Sequence, residues 1–325
     1  MSPKREEPPS NLRSLEARIS NIARDRDRPL RRVQRVIANT VVGQMLPPSV
    51  VKGGTAMKLR VGEAASRFSA DLDAARSAEM TLDDYLDALA ARLADGWGGF
   101  TGELEELDPP QPDGVPEDYV MRPFVIRLAY QGRHWLSVPF ELGHDEIGST
   151  QRHELRIADD IVELFDTIGL DTPGPIPVLA LDHQIAQKLH ACTAINTKTG
   201  GNERAHDLVD LQILEQEEDI DYAALAITAQ WGVSGVSLAA FTAGLKNRAR
   251  QLVGRRIPPP GAVNSNARVS SVVTLQSRWM WRCSRARSAM GTVRKARSVL
   301  GSSNATTPPT CPTGAWGRGT AQRIS

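Results

Sequence analysis

Cysteine is scarce. Three residues (Cys192, Cys283 and Cys311) in 325, odd in number and without a Cys-x-x-Cys pair, exclude a disulfide framework and a zinc ribbon and suit a reducing compartment. Long apolar runs are missing too. No stretch approaches the roughly 18–20 residues that a membrane-spanning helix needs, and Met1-Ser-Pro-Lys-Arg-Glu-Glu7 lacks the apolar core of a secretory signal. The expectation is a soluble, cytoplasmic protein with no membrane partner. Internal repeats are also absent. The last absence is local: from Gln251 to Ser325 there is no Asp or Glu, although that stretch holds eleven Arg and one Lys. The near balance of 39 Lys+Arg against 38 Asp+Glu is therefore a cancellation between a body of net −11 (residues 1–250) and a tail of +12. Such asymmetry marks a boundary between segments of different physics.

What is present suffices for a packed core, with 41% hydrophobic residues, and the length suggests about two domains. Residues 1–13, rich in Pro and charge, are expected to be a disordered lead. Leu15, Ile19 and Ile22, then Val33, Val36 and Ile37, recur at helical spacing and predict two helices between Ser14 and Met45, separated at Pro29 and ended by Pro47-Pro48. Ser49-Val-Val-Lys-Gly-Gly-Thr55 predicts a short strand entering a glycine turn, with a helix starting at Ala56. Arg67–Asp73 predicts a strand, Thr81–Trp97 a helix capped by Thr81, and Arg122–Tyr130 with His134–Leu142 a hairpin turning at Gln131-Gly132-Arg133. A further strand falls at Ile176–Leu181. Helices follow over Asp182–Ile195, Arg204–Leu214, Tyr222–Gln230 and Ser237–Val253, closed by Pro258-Pro259-Pro260.

The sharpest chemical constellation is Gly53-Gly54-Thr55 followed by Asp71-Leu72-Asp73. A strand, a glycine turn and a helix N-terminus present free N–H groups to a phosphate. If 67–73 is one strand, Ser69, Asp71 and Asp73 share a face. Two such carboxylates repel unless a cation sits between them, and Mg²⁺, held by a few carboxylates and substrate phosphates, suits them. The bland alternatives are a solvated strand edge and an ordinary turn. Glu141, on the face of its strand opposite Leu136, Val138, Phe140 and Leu142, could supply a third acid or be simply exposed. Pro139 beside it predicts an irregular or edge position. Lys188 lies off the stripe of Ile185 and Leu189, while Asp207 and Asp210 are helical neighbours. These three could neutralise a triphosphate and orient it, or be ordinary surface charges.

In order, Lys52-Gly-Gly-Thr55, Arg67-Phe-Ser-Ala-Asp-Leu-Asp73, Lys188-Leu-His-Ala191 and Arg204-Ala-His-Asp-Leu-Val-Asp-Leu211 resemble the motif series of the AbiEii/AbiGii toxin family, within the DNA polymerase β-like nucleotidyltransferase superfamily. Ala17–Arg24 resembles that family's lead helix. The likeness spans roughly residues 14–215. It implies an α+β fold: a nucleotidyltransferase domain over 14–181 with a small mixed sheet and N-terminal helices, and a helical domain over 182–253. The Arg-rich stretch over 254–325 has no counterpart in the family and is expected from its composition to be a disordered tail. It implies a substrate-binding set of Lys52, Gly53, Gly54, Thr55, Arg67 and Ser69. Asp71, Asp73, Lys188, Asp207 and Asp210 become the catalytic set, and Asp71 and Asp73 the Mg²⁺ ligands, with Glu141 as the third acid. Two positions depart from the family pattern: Pro139 stands where a Lys often precedes the third acid, and His206 where a Lys or Arg precedes Asp207.

The implied function is that of a toxin in a bacterial toxin–antitoxin or abortive-infection system active in phage defence. It would transfer a nucleotide from an NTP (CTP or GTP among the candidates) to an RNA acceptor, tRNA foremost, and be neutralised by a cognate antitoxin. A protein-modifying nucleotidyltransferase and a catalytically silent NTP-binding module are the other readings. In the tail, Arg278-Trp-Met-Trp-Arg-Cys-Ser-Arg-Ala-Arg287 mixes stacking and basic residues, but an unselected extension has the same composition. A more trustworthy basic surface is Arg24, Arg28, Arg31, Arg32 and Arg35 of the lead helices.

Overall fold

Helical spacing of apolar residues makes α1 (Leu12–Asp25) one-sided, with Leu15, Ile19 and Ile22 buried. Asn11 caps it, its side chain accepting from the Ser14 N–H at 3.0 Å. The computed structural model describes residues 7–110, 120–145, 148, 150–193, 205–221 and 225. Within the lead expected over residues 1–13, Asn11 belongs to the helix start, and the Pro9 carbonyl accepts from Tyr130 Oη at 2.7 Å. Pro29 occupies the N-cap position of α2 (Leu30–Met45), and Leu46, next to Pro47, leaves the helix in extended conformation.

Strand β1 (Ser49–Lys52) passes into α3 (Gly53–Ala65) without a loop. Strand β2 covers Leu72–Arg76, a correction to the strand expected over 67–73. β1 is only four residues long and pairs with Asp73–Arg76. Beyond Lys52 the chain coils into α3, so residues 67–71 have no ladder partner there. Thr81 caps α4 (Leu82–Asp95). The helix stops two residues before Trp97 because Gly96 adopts φ +77°.

Strands β3 (Phe100–Glu106), β4 (Arg122–Tyr130) and β5 (Arg133–Gly143) form a meander. The β4–β5 turn is Gln131-Gly132, both at positive φ, the two-residue kind that matches strand twist. A register shift at Leu128/Ala129 brings Trp135 to within 5.4 Å of the Phe100 ring, so the strict alternation expected along this strand breaks there. After β6 (His153–Arg156) and α5 (Asp159–Ile168) come β7 (Ile176–Leu179), α6 (Leu181–Thr193) and α7 (Ala205–Glu217). β3, β6 and α5 have no counterpart in the sequence reading. The helices expected over 222–230 and 237–253 fall, apart from Leu225, outside the described residues, as does the 254–325 tail.

The seven strands make one mixed sheet in the order β3-β4-β5-β2-β1-β7-β6. β1 runs antiparallel to β2 and parallel to β7, and β2 runs parallel to β5. Pro139, expected at an irregular or edge position, lies in a central strand, opposite Val125 of β4 and just before the residues of β5 that pair with β2. The main core joins α1, α2, α4 and α5 to the sheet. A second cluster gathers Ile185, Leu189, Leu208, Leu211 and Leu214 around Met57 of α3, so α6 and α7 pack on the helix that follows the glycine turn. No helix among the described residues is long and apolar enough to cross a membrane.

Candidate functional site

The sheet register brings the expected residues into one lateral row. Lys52 faces Asp73 across the β1–β2 ladder, and Asp73 faces Glu141 across β2–β5. Directly opposed residues on neighbouring strands project to the same face, so a cation and two acids stand side by side, all half-buried. Lys52 reaches across β2, its Nζ lying near Gly143 of β5. Asp71 falls just before the strand, outside the alternation used to place it, yet joins the same group. Its Oδ1 accepts from Ser69 Oγ at 2.9 Å.

Gly53 is required at its position twice over. Its φ of +62° is left-handed, and a Cβ there would collide with the Asp73 carboxylate. A Cβ on Gly54 would collide with Ser69 and come 3.5 Å from Arg67 Nη2. The glycine turn is thus packed backbone-first against the acids. α3 begins at this turn without a side-chain cap, so its first-turn N–H groups are open to an anion. From beneath, Asn39 Nδ2 donates to Thr55 Oγ1 (2.9 Å) and to the Asp71 carbonyl (3.1 Å), which also accepts from Thr55 Oγ1 at 2.9 Å. Asn39 was not singled out in the sequence. Its one signal there is a lone amide in the apolar run Val36-Ile37-Ala38-Asn39-Thr40-Val41.

The carboxyl of Asp73 is pushed up to about 7, first by burial, then by Asp71 and Glu141, with Lys52 and Lys188 opposing. Acids held together against their own repulsion fit a hard divalent cation, which would neutralise them. Among the described residues no three His, Cys, Asp or Glu are placed to hold a metal by themselves. A Mg²⁺ bound by one or two carboxylates and substrate phosphates requires no such cage.

Lys188, Asp207 and Asp210 are not surface charges. They are 6%, 5% and 0% exposed, and Lys188 Nζ donates to Asp207 Oδ1 at 3.1 Å and Asp210 Oδ2 at 2.6 Å. Asp210 also accepts from Arg67 Nε at 3.0 and 3.1 Å. Arg67 and Lys188, both expected near phosphate, therefore converge on one buried carboxylate. His206 Nε2 stands 3.5 Å from Asp207 Oδ2. The basic surface expected of the lead helices is smaller than expected. Arg32 turns inward to Glu63 and to the Ser66 carbonyl, and Arg35 donates to the Ser137 carbonyl at 2.7 Å. Arg24, Arg28 and Arg31 stay exposed.

A cavity of about 480 Å³ lies at the other end of β1 and β7, lined by Gly43–Gln44, Pro47–Val51, Arg92, His153 and Pro175–Pro177. Its polar groups are engaged internally, Gln44 with Gly174, Ser49 with Tyr85 and Arg92 with the Leu46 carbonyl. It holds no acid, and the chemistry lies at the Lys52 end.

A family model for the nucleotidyl transferase AbiEii toxin of type IV toxin–antitoxin systems matches residues 38–257. The chain belongs to this family and is a nucleotidyltransferase toxin. Among solved structures, MenT4, a nucleotidyltransferase toxin from Mycobacterium tuberculosis H37Rv, is similar at 18% identity and a TM-score of 0.49, covering 88% of this chain and 98% of that one. No curated protein matches the chain.

Proposed function

We propose that the protein transfers a nucleoside monophosphate from an NTP to the 3′ end of an RNA acceptor, tRNA foremost, with Mg²⁺ at Asp71 and Asp73. The reaction would take place in the cytoplasm and be silenced by a cognate antitoxin, in the setting of phage defence. The observation that carries this reading is the row of Lys52, Asp73 and Glu141 with the Gly53 turn packed onto its central acid. Mg²⁺ bound there would supply charge neutralisation for the triphosphate and acidify the attacking hydroxyl.

The chain's own groups divide the remaining work. The N–H groups of Gly53, Gly54 and Thr55 hold phosphate oxygens at the start of α3. Ser69 fixes the rotamer of Asp71. Lys188, steered by Asp207 and Asp210, offers positive charge to the phosphate that becomes negative as pyrophosphate leaves. Glu141 stands beside Asp73, where it can hold the acceptor hydroxyl or share the cation. CTP and GTP are the first nucleotides to try.

Incubation with Mg²⁺, tRNA and each α-labelled NTP tests the reading. Wild type is expected to label tRNA, and Asp71→Ala to lose about a hundredfold or more. Label moving with a protein band would replace RNA by a protein acceptor, and undiminished transfer by Asp71→Ala would remove the assignment.

A further inference from the structure

One arginine of the lead helices meets an aromatic ring. Arg31 Cζ lies 5.9 Å from the centroid of Phe68, within cation–π range. Phe68 is 39% exposed, whereas Phe100, Phe124, Phe140 and Phe165 are all essentially buried. The ring is placed by the segment that carries the acids. Its neighbours Arg67 and Ser69 flank Gly54, and Asp71 follows three residues on. Arg35, 8% exposed, lies close enough to both Arg31 and Asp71 to feel their charges. Its Nη1 donates to the Ser137 carbonyl, but its Nε has no hydrogen-bond partner. An exposed ring and a guanidinium over it therefore meet at the rim of the acid site.

We propose that Phe68 and Arg31 form a stacking platform for an unpaired nucleobase. Every base presents a π-face, so an aromatic ring beside an arginine plane accepts bases without sequence preference. The proposal rests on the nucleotidyl-transfer reading, which brings two nucleobases to this region, one on the NTP and one at the acceptor's end.

Calorimetric titration of the full chain with a short single-stranded RNA, and separately with CTP and GTP, tests it without turnover. Phe68→Ala is expected to weaken one ligand about tenfold, Arg31→Ala to weaken the same ligand, and Phe68→Tyr to bind like wild type. Loss confined to RNA assigns the base to the acceptor; loss confined to the nucleotide assigns it to the triphosphate. Phe68→Ala binding both as tightly as wild type overturns the platform. That failure with Asp71-dependent transfer intact would leave the catalytic reading standing. Stacking losses in a protein that transfers no label would retain the platform and refute the transfer.

Discussion

Lys188 and Asp210 meet at 2.6 Å with the carboxylate fully buried. The pair reaches from α6 to α7, and Arg67 joins it from the segment before β2. A buried ion pair of this kind adds little over an apolar filling, but losing one partner leaves a charge stranded. Asp210→Ala is expected to lower unfolding stability by about 3–5 kcal/mol, measured by urea denaturation. Asp210→Asn, whose amide oxygen still accepts from Lys188, should cost clearly less. Equal losses would mean that a neutral acceptor is no substitute and that the charge of Asp210 carries the whole effect.

The raised carboxyl of Asp73 gives a pH signature. Burial and the acids Asp71 and Glu141 favour the protonated form in the fold, near 7 against 3.8 in an open chain. Between those values the folded state binds the extra proton, so this group stabilises the protein at low pH and the contribution is lost as pH rises through 7. In EDTA, wild type should lose melting temperature relative to Asp73→Asn between pH 5 and pH 8. Parallel curves for the two proteins would contradict the shift.

Gly53→Ala asks for a side chain where the backbone is left-handed and the Asp73 carboxylate already stands. We expect a folded protein destabilised by about 1–3 kcal/mol whose transfer activity falls at least as far as that of Asp73→Asn. Circular dichroism checks the fold and tRNA labelling the activity. A fully active Gly53→Ala would show that the acid can move aside without consequence.

Much of this was legible in the residues. Helical spacing located α1, α2 and α4, because their buried faces are apolar at every third or fourth position. The glycine turn announced itself because few other uses need two glycines between a strand and a helix. The extent of β2 was not legible, since it depends on where β1 coils away. Nor was the burial of Lys188: periodicity placed it off the apolar stripe, and only the return of α7 with Asp207 and Asp210 gives it partners. Glu141 stayed open in the sequence because its neighbour across the ladder, Asp73, is 68 residues distant and the register alone joins them. β6 was not legible because a four-residue strand carries few periods to count, whereas α5 does carry a helical stripe, Ile161, Leu164, Phe165 and Ile168, in its residues.

The family match ends at residue 257, 36 residues beyond the last acid of the chain, Asp221. Ending the chain there is expected to leave tRNA labelling within about twofold of the full-length protein, a difference too small to read as a lost contact. A tenfold loss would assign the Arg-rich segment a share in acceptor binding.

The distribution of the site along the chain has a consequence for synthesis. The glycine turn emerges from the ribosome first, Asp73 and Glu141 later, and Lys188 with its carboxylate partners last of all. Because chains fold as they emerge, a half-made copy already owns the acids but lacks the cation that Asp207 and Asp210 steer. If transfer needs the whole set, a nascent chain stays inactive until α7 has emerged, and an antitoxin has no competent enzyme to meet before then.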